Sequence, residues 1–416
     1  MLLVIKSDYL IIGYIILFIS IISGLYGVML AIIQHNLKRL LAYHSIENIG
    51  IIGMGIGIGC IGIGKGNHLI TILGFAGALL HTLNHSLFKS LLFYGAGNVY
   101  QSTHTMDIEK LGGLVKRMPH TAFLFLIAAL AICGLPPFNG FVSEFLIYNG
   151  LFTGLHGSDK ALLSSIVFAL FGLALIGGLA MLCFTKAFGA SFLGAARSDL
   201  QHTPAEATFG KLIPMYAVVM LIMAIGLFPK TFVMALSAPL NLFTHLTDNN
   251  ISGEIIPLTG TMSMIGLCSA IFLGLAGLIF FVRKRITSNK PQTVNVTWGC
   301  GYIAPTPKMQ YTASSFIRAY RKLAEPLFSI HKNKKEITGV FPKAGGQETH
   351  PYDKIEEKFI DHPLLLLKKF FNRFTFLQNG NLQFYILYGI VFILLVLAIP
   401  FLFEYINSLI KFLNQV

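Results

Sequence analysis

Charge is scarce in this chain. Only 12% of its 416 residues are Asp, Glu, Lys or Arg, and acids are the rarer sign, 18 against 31 Lys and Arg. A soluble protein of this length carries about twice that charged fraction, so a soluble enzyme or scaffold is excluded. Cysteine is also sparse. Five residues with no CxxC spacing make neither a disulfide framework nor a zinc or iron–sulfur site. Cys60, Cys133, Cys183 and Cys268 fall in apolar stretches and Cys300 stands alone. No metal, cofactor or catalytic constellation is therefore expected. Trp occurs once, and no nucleic-acid module accompanies the net charge of +13, which reads as topology and partner contact.

Apolar residues fill the space. The chain is 54% hydrophobic with a mean hydropathy of +0.70, and it is rich in Phe (35) and Gly (41). This composition predicts an all-α polytopic membrane protein. Stretches long enough to span a bilayer cover roughly 9–34, 40–64, 69–100, 120–151, 162–189, 211–233, 262–282 and 384–403, about eight transmembrane helices. Lys and Arg crowd alternate loops, and residues 283–373 hold 17 of them against 7 acids. The positive-inside rule puts 283–383 in the cytoplasm and both termini outside. Within it, 352–376 mixes Ile355, Phe359, Leu366, Phe370 and Phe374 with Lys and Glu. That pattern suits an amphipathic helix along the membrane surface, kinked or split at Pro363. Met1-Leu2-Leu3-Val4-Ile5 followed by Lys6-Ser7-Asp8 reads as the tail of a preceding helix, not a signal peptide, with a true start as the alternative.

The chemistry concentrates in three spans. His81, His85 and Lys89 recur at four-residue steps within an apolar helix, forming one ladder about 12 Å tall. Titratable groups at membrane depth mark a proton or ion path, the alternative being three groups satisfied singly by neighbouring helices. Gly134-Leu135-Pro136-Pro137-Phe138-Asn139-Gly140 breaks the fourth span, and Glu144 follows one turn into its second half. The second span carries Tyr43, His44, Glu47 and Asn48, with Tyr43 and His44 spaced to partner Glu47. Lys38 and Arg39 flank its end, as topology determinants or as a proton entry. Lys186 either snorkels from the end of the fifth span or joins the path. The run Gly53, Gly55, Gly57, Gly59, Gly62, Gly64 lacks a preceding strand and reads as helix packing, not a nucleotide loop.

Lys38-Arg39-Leu40-Leu41-Ala42-Tyr43-His44-Ser45, the His81/His85/Lys89 ladder and Pro136-Pro137-Phe138-Asn139-Gly140-Phe141 with Glu144 together resemble the antiporter-like proton-conducting subunits of complex I, Mrp antiporters and membrane-bound nickel–iron hydrogenases. Ser45-Ile46-Glu47-Asn48-Ile49-Gly50, Thr297-Trp298, Cys300-Gly301-Tyr302 and Met309-Gln310-Tyr311-Thr312-Ala313-Ser314-Ser315-Phe316 are similar to the hydrogenase-4 and formate hydrogenlyase branch. The resemblance implies inverted five-helix repeats. Residues 1–200 would be the second repeat, 201–282 further transmembrane helices, 283–383 the basic segment with a lateral helix, and 384–416 the C-terminal transmembrane helix. A first repeat, with its own buried Glu and Lys, is missing, which fits a fragment or a split gene. The resemblance further implies Lys89 as central relay, His81 and His85 as hydrated neighbours, and Glu144, where some relatives carry Lys, near the exit. It implies a bacterial inner-membrane complex of other membrane subunits and a soluble hydrogenase or redox arm, with no redox centre in this chain. Two rival readings are a cation/proton antiporter, which needs a cluster of oxygen ligands, and a structural anchor that no longer conducts. A subunit of NADH:quinone oxidoreductase is the neighbouring alternative.

Overall fold

The computed structural model describes residues 8–155, 159–198, 202–244, 248–290, 306, 309–324, 329–335, 346–378 and 380–413. The apolar residues Met1–Ile5 and the Trp298, Cys300 and Tyr302 motif lie outside these residues. Two units divide the chain, Met1–Pro351 and Tyr352–Val416.

In the first unit, α1 (Tyr9–Ile33), α2 (Leu37–Lys65) and α3 (His68–Thr103) run up, down and up through tight connections. Asn36 and Asn67 cap α2 and α3 with their side chains, and Gly66 closes α2 in the left-handed conformation. α4 (Pro119–Ile132) and α5 (Asn139–Gly154) are the two halves of the interrupted span, and α6 (Lys160–Phe192) returns beside α1. α4 has no cap of its own. The Glu206 carboxylate supplies one from a distant loop, accepting from the backbone N–H of His120 (2.8 Å) and Thr121 (3.2 Å) and from the Thr121 hydroxyl (2.5 Å).

α7 (Phe209–Leu227) stops before Pro229, where the short α8 (Pro229–Met234) and α9 (Ser237–Thr244) take over. The sixth predicted span therefore breaks at Phe228. α10 (Asp248–Thr287) is longer than the apolar run within it. The short α11 (Ala313–Phe316) and α12 (Arg318–Ala324) precede a strand pair, β1 (Ser329–Lys335) with β2 (Gly346–Tyr352), which hydropathy did not foresee. Among the described residues, six helices are long and apolar enough to cross a membrane: α1, α2, α6, α7, much of α10, and the C-terminal helix. The third and fourth predicted spans, 69–100 and 120–151, are the long α3 and the two short halves α4 and α5.

The second unit holds a helical segment from Lys354 that passes through α13 (Lys354–Glu356) and a π-turn at Glu357–Asp361 into α14 (His362–Asn372). Pro363 falls in the first turn of α14, directly after the π-turn, and the backbone is helical on both sides of it. α15 (Leu382–Leu413) is apolar on all sides, as a helix in lipid is.

Glycine sets how closely α1 and α2 approach. A Cβ on Gly50 would stand 2.6 Å from Gly24 Cα and 2.7 Å from the Ser20 carbonyl oxygen, so only hydrogen fits between these backbones. Gly50→Leu is expected to pry the pair apart and lower stability by about 1–3 kcal/mol. Gly178→Leu, where a Cβ meets nothing within 4 Å, should be silent in the same thermal melt in detergent. Equal melting of the two variants would show that the close approach is not needed.

Candidate functional site

Where α2, α3 and α5 meet, buried polar side chains form one connected chain. Asn48 Nδ2 donates to the His44 carbonyl (2.8 Å), which leaves Asn48 Oδ1 to face His81 Nε2 at 3.1 Å. His81 Nδ1 lies 2.9 Å from Ser143 Oγ. Ser143 also receives an Asn84 amide N–H (2.9 Å) and lies 3.0 Å from the Gly140 carbonyl. Asn84 and Asn139 complete the row by bonding to each other across α3 and α5, at 2.8 and 3.2 Å. Helix periodicity predicts His81. Asn84, Asn139 and Ser143 were missed, although three uncharged polar groups at membrane depth were themselves the signal.

His81 sits in an informative bond pattern. Asn48 Oδ1 can only accept, so His81 Nε2 carries a proton. The Ser143 hydroxyl has one proton and two acceptors within reach, His81 Nδ1 and the Gly140 carbonyl. If it points to His81, the imidazole is neutral. If it points to Gly140, His81 Nδ1–H can donate to the oxygen. One hydroxyl rotation thus satisfies both protonation states.

The rest of the ladder is less paired. His85 packs edge-on against Phe88, with Nε2 buried and without a hydrogen-bond partner among the described residues. The buried Lys89 ammonium donates to the Leu41 carbonyl and lies 5.2 Å from the Phe93 ring centroid. On α2, His44 and Glu47 form a completely buried pair through Nδ1 and Oε2, with the Phe184 ring 4.5 Å from the imidazole and the Cys183 thiol beside it. Lys89 thus reaches α2, the helix that carries Glu47. Glu144 lies on α5, in the second half of the broken span. It lies against Gly134, partly exposed and with no hydrogen bond among the described residues. Gly134 has φ +63°, a left-handed conformation that favours glycine at the break, and the Glu144 carboxylate lies where its Cβ would be.

The remaining predicted residues separate. Lys186 does not snorkel. It is fully buried and donates to the carbonyls of Ile32 (2.5 Å) and Gln34 (2.8 Å), capping the C-terminus of α1. Lys38 stands exposed at the start of α2.

A second polar cluster lies outside the spans. Glu109 accepts from the Ser314 N–H (2.7 Å) and hydroxyl (2.5 Å) and pairs with His35 at 3.4 Å. Arg197 donates to Tyr311 (2.8 Å), and Gln310 bonds Ala195 in both directions. Residues 310–316 are thus clasped to the end of the bundle. Burial pushes the Glu109 carboxyl up, but the bonds from His35 and Ser314 outweigh it and hold it at about 2. A depressed carboxyl stabilises fully above its usual range near ~4.3 and loses that contribution as pH falls toward 2. Glu109→Gln should therefore speed amide exchange of residues 310–316 by about tenfold at pH 7. The difference from the unmodified chain should vanish near pH 2. Equal protection at pH 7 would mean that the carboxylate does not hold the segment.

Residues 1–172 match the family described as NADH:quinone oxidoreductase/Mrp antiporter, TM. Hydrogenase-4 component B of Escherichia coli strain K12 is 32% identical over 405 residues, covering 93% of this chain and 59% of that protein. Formate hydrogenlyase subunit 3 of the same strain is 34% identical over 321 residues, 77% of this chain and 51% of that protein. A chain of the membrane-bound sulfane sulfur reductase, an archaeal respiratory membrane complex, shares the fold with a TM-score of 0.58 at 24% identity, over 93% of this chain and 56% of that one. The chain spans little more than half the length of these relatives.

Proposed function

We propose that this chain, which belongs to the NADH:quinone oxidoreductase/Mrp antiporter transmembrane family, is a proton-translocating membrane subunit of a respiratory-type oxidoreductase complex, of the hydrogenase-4 or formate hydrogenlyase kind. The observation that carries the reading is the His81 pattern. The imidazole can gain or lose its Nδ1 proton while Ser143 rotates between two acceptors, so neither state leaves a buried group unpaired. Proton transfer then runs among Lys89, His85 and His81, with Glu47 as the charge that acts on Lys89 and His44 as its partner. These groups titrate as a coupled set. A water at His85 Nε2 would join its imidazole to the neighbouring rungs. Glu144, beside the broken span, is assigned to the exit, and Lys38 and Lys186 to the end of the bundle where protons enter. Residues 1–200 act as the five-helix conducting repeat, in a bacterial inner membrane with 283–383 cytoplasmic and both termini outside. Other membrane subunits and a soluble redox arm would drive it.

Ser143→Ala removes the rotating hydroxyl and little volume. It should slow proton uptake into liposomes carrying the assembled complex by about tenfold, roughly the weight of one hydrogen bond. Unchanged uptake would take Ser143 out of the path. A cation/proton antiporter needs several oxygen ligands in one place, whereas the ladder is nitrogen-rich. Proton flux should accordingly be the same in Na+ and choline media, and a strict Na+ requirement would favour the antiporter instead.

A further inference from the structure

A groove of about 330 Å³ runs down the outside of the first unit between α3 and α7, lined by Phe93, Tyr94, Gly97, Gln101, Lys211 and Pro214. Its two ends differ chemically. At one end the Lys211 ammonium bonds only to the neutral Gln101 amide oxygen (2.7 Å), and among the described residues it pairs with no carboxylate. Lys211 lies in the first turn of α7, a helix whose N-cap Thr208 makes no side-chain cap bond, so the positive end of the helix adds to the lysine. Ser102 bonds Ala205 here, which places this mouth at the end of the bundle where α3 finishes and the loops bearing Lys110, Lys116 and Arg117 lie. From Gln101 to Phe93 the groove descends about 12 Å along α3, past Asn98, whose amide N–H groups are taken by Thr121 and Met215, onto aromatic and methylene surface. Its lower end, Phe93, is the same ring that lies over the Lys89 ammonium.

We propose that this groove is a binding site for one anionic phospholipid, its phosphate at Lys211 and the first turn of α7, its acyl chain along Gly97 to Phe93. The occupant follows from charge complementarity and shape: an uncompensated cation at interface height stands above an apolar channel that opens sideways to lipid. The chain's tail would lie against the Phe93 ring. That places a lipid next to the side chain in contact with Lys89. The site itself does not depend on proton transfer by this protein.

Binding is read by native mass spectrometry of the intact complex released from nanodiscs of phosphatidylglycerol or phosphatidylcholine. The unmodified protein should retain one more phosphatidylglycerol than phosphatidylcholine. Lys211→Gln should lower the preference for phosphatidylglycerol about fivefold, the weight of one lysine near an anionic surface. Gly97→Leu fills the channel at a position where a Cβ meets nothing within 4 Å and where leucine favours the helix. It should remove the retained lipid of either kind while the complex keeps its melting temperature. Inorganic phosphate at millimolar concentration should not displace the lipid. Equal retention of the two lipids by the unmodified protein, an unaltered preference in Lys211→Gln, full retention in Gly97→Leu, or displacement by phosphate alone would each overturn the proposal. Proton flux enters none of these readings, so failure of the transport assignment leaves them intact.

Discussion

Lys89→Met is expected to stop proton translocation, with uptake falling by roughly a hundredfold or more, while the complex still assembles. The substitution keeps the length of the side chain and its contact with Phe93 but removes the ladder's amine and its bond to the Leu41 carbonyl. Its structural effect is small for a specific reason. Leu41 loses an extra donor, at about 1–3 kcal/mol if that carbonyl is left short of a partner, while an ammonium no longer has to be kept in an apolar interior. The two contributions oppose each other, so the melting temperature should move little. Flux and stability therefore separate, and that separation is the test. Uptake equal to the unmodified protein would take Lys89 out of the path. A parallel loss of assembly and uptake would make it a structural residue.

Glu47→Ala is expected to have the largest effect on stability. His44 and Glu47 are buried at 0% and 1% exposure and bonded to one another. Removing one member of a buried pair leaves the other uncompensated, at about 3–5 kcal/mol. Removing both members should be milder, since no charge is stranded on α2. The double variant His44→Phe with Glu47→Leu should recover about 1–3 kcal/mol relative to the sum of the single changes. Thermal melts of the unmodified protein, His44→Phe, Glu47→Leu and the double variant measure that coupling. If the single effects simply add, the pair is not an energetic unit. Proton uptake should remain low in the double variant even as stability returns, because Lys89 still lacks its acid.

Much of this was legible along the chain. Hydropathy located the spans, because a bilayer of fixed thickness demands about twenty apolar residues at each crossing. The four-residue spacing of His81, His85 and Lys89 placed them on one helix face, since 3.6 residues make a turn. Two prolines between Gly134 and Gly140 announced the break, because proline removes a helix donor wherever it sits. Glu47 stood one turn from His44, so their pairing was local and readable.

What the linear order could not contain is which helix meets which. Lys89 ends on the Leu41 carbonyl of α2, the helix that also carries Glu47, a contact that only the packing of α2 on α3 provides. Lys186 had an aliphatic stem long enough to reach water, but α6 lies beside α1 and its ammonium ends on α1 carbonyls. Asn48, Asn84, Asn139 and Ser143 become a single chain only because α2, α3 and α5 converge, over sequence separations of 33 to 62 residues. Spans and faces are properties of a helix in lipid, which each segment settles with its own hydrogen bonds and its own apolar stripe. Partnership between buried polar groups is a property of helix contact, decided by where small residues such as Gly24 and Gly50 let backbones close together.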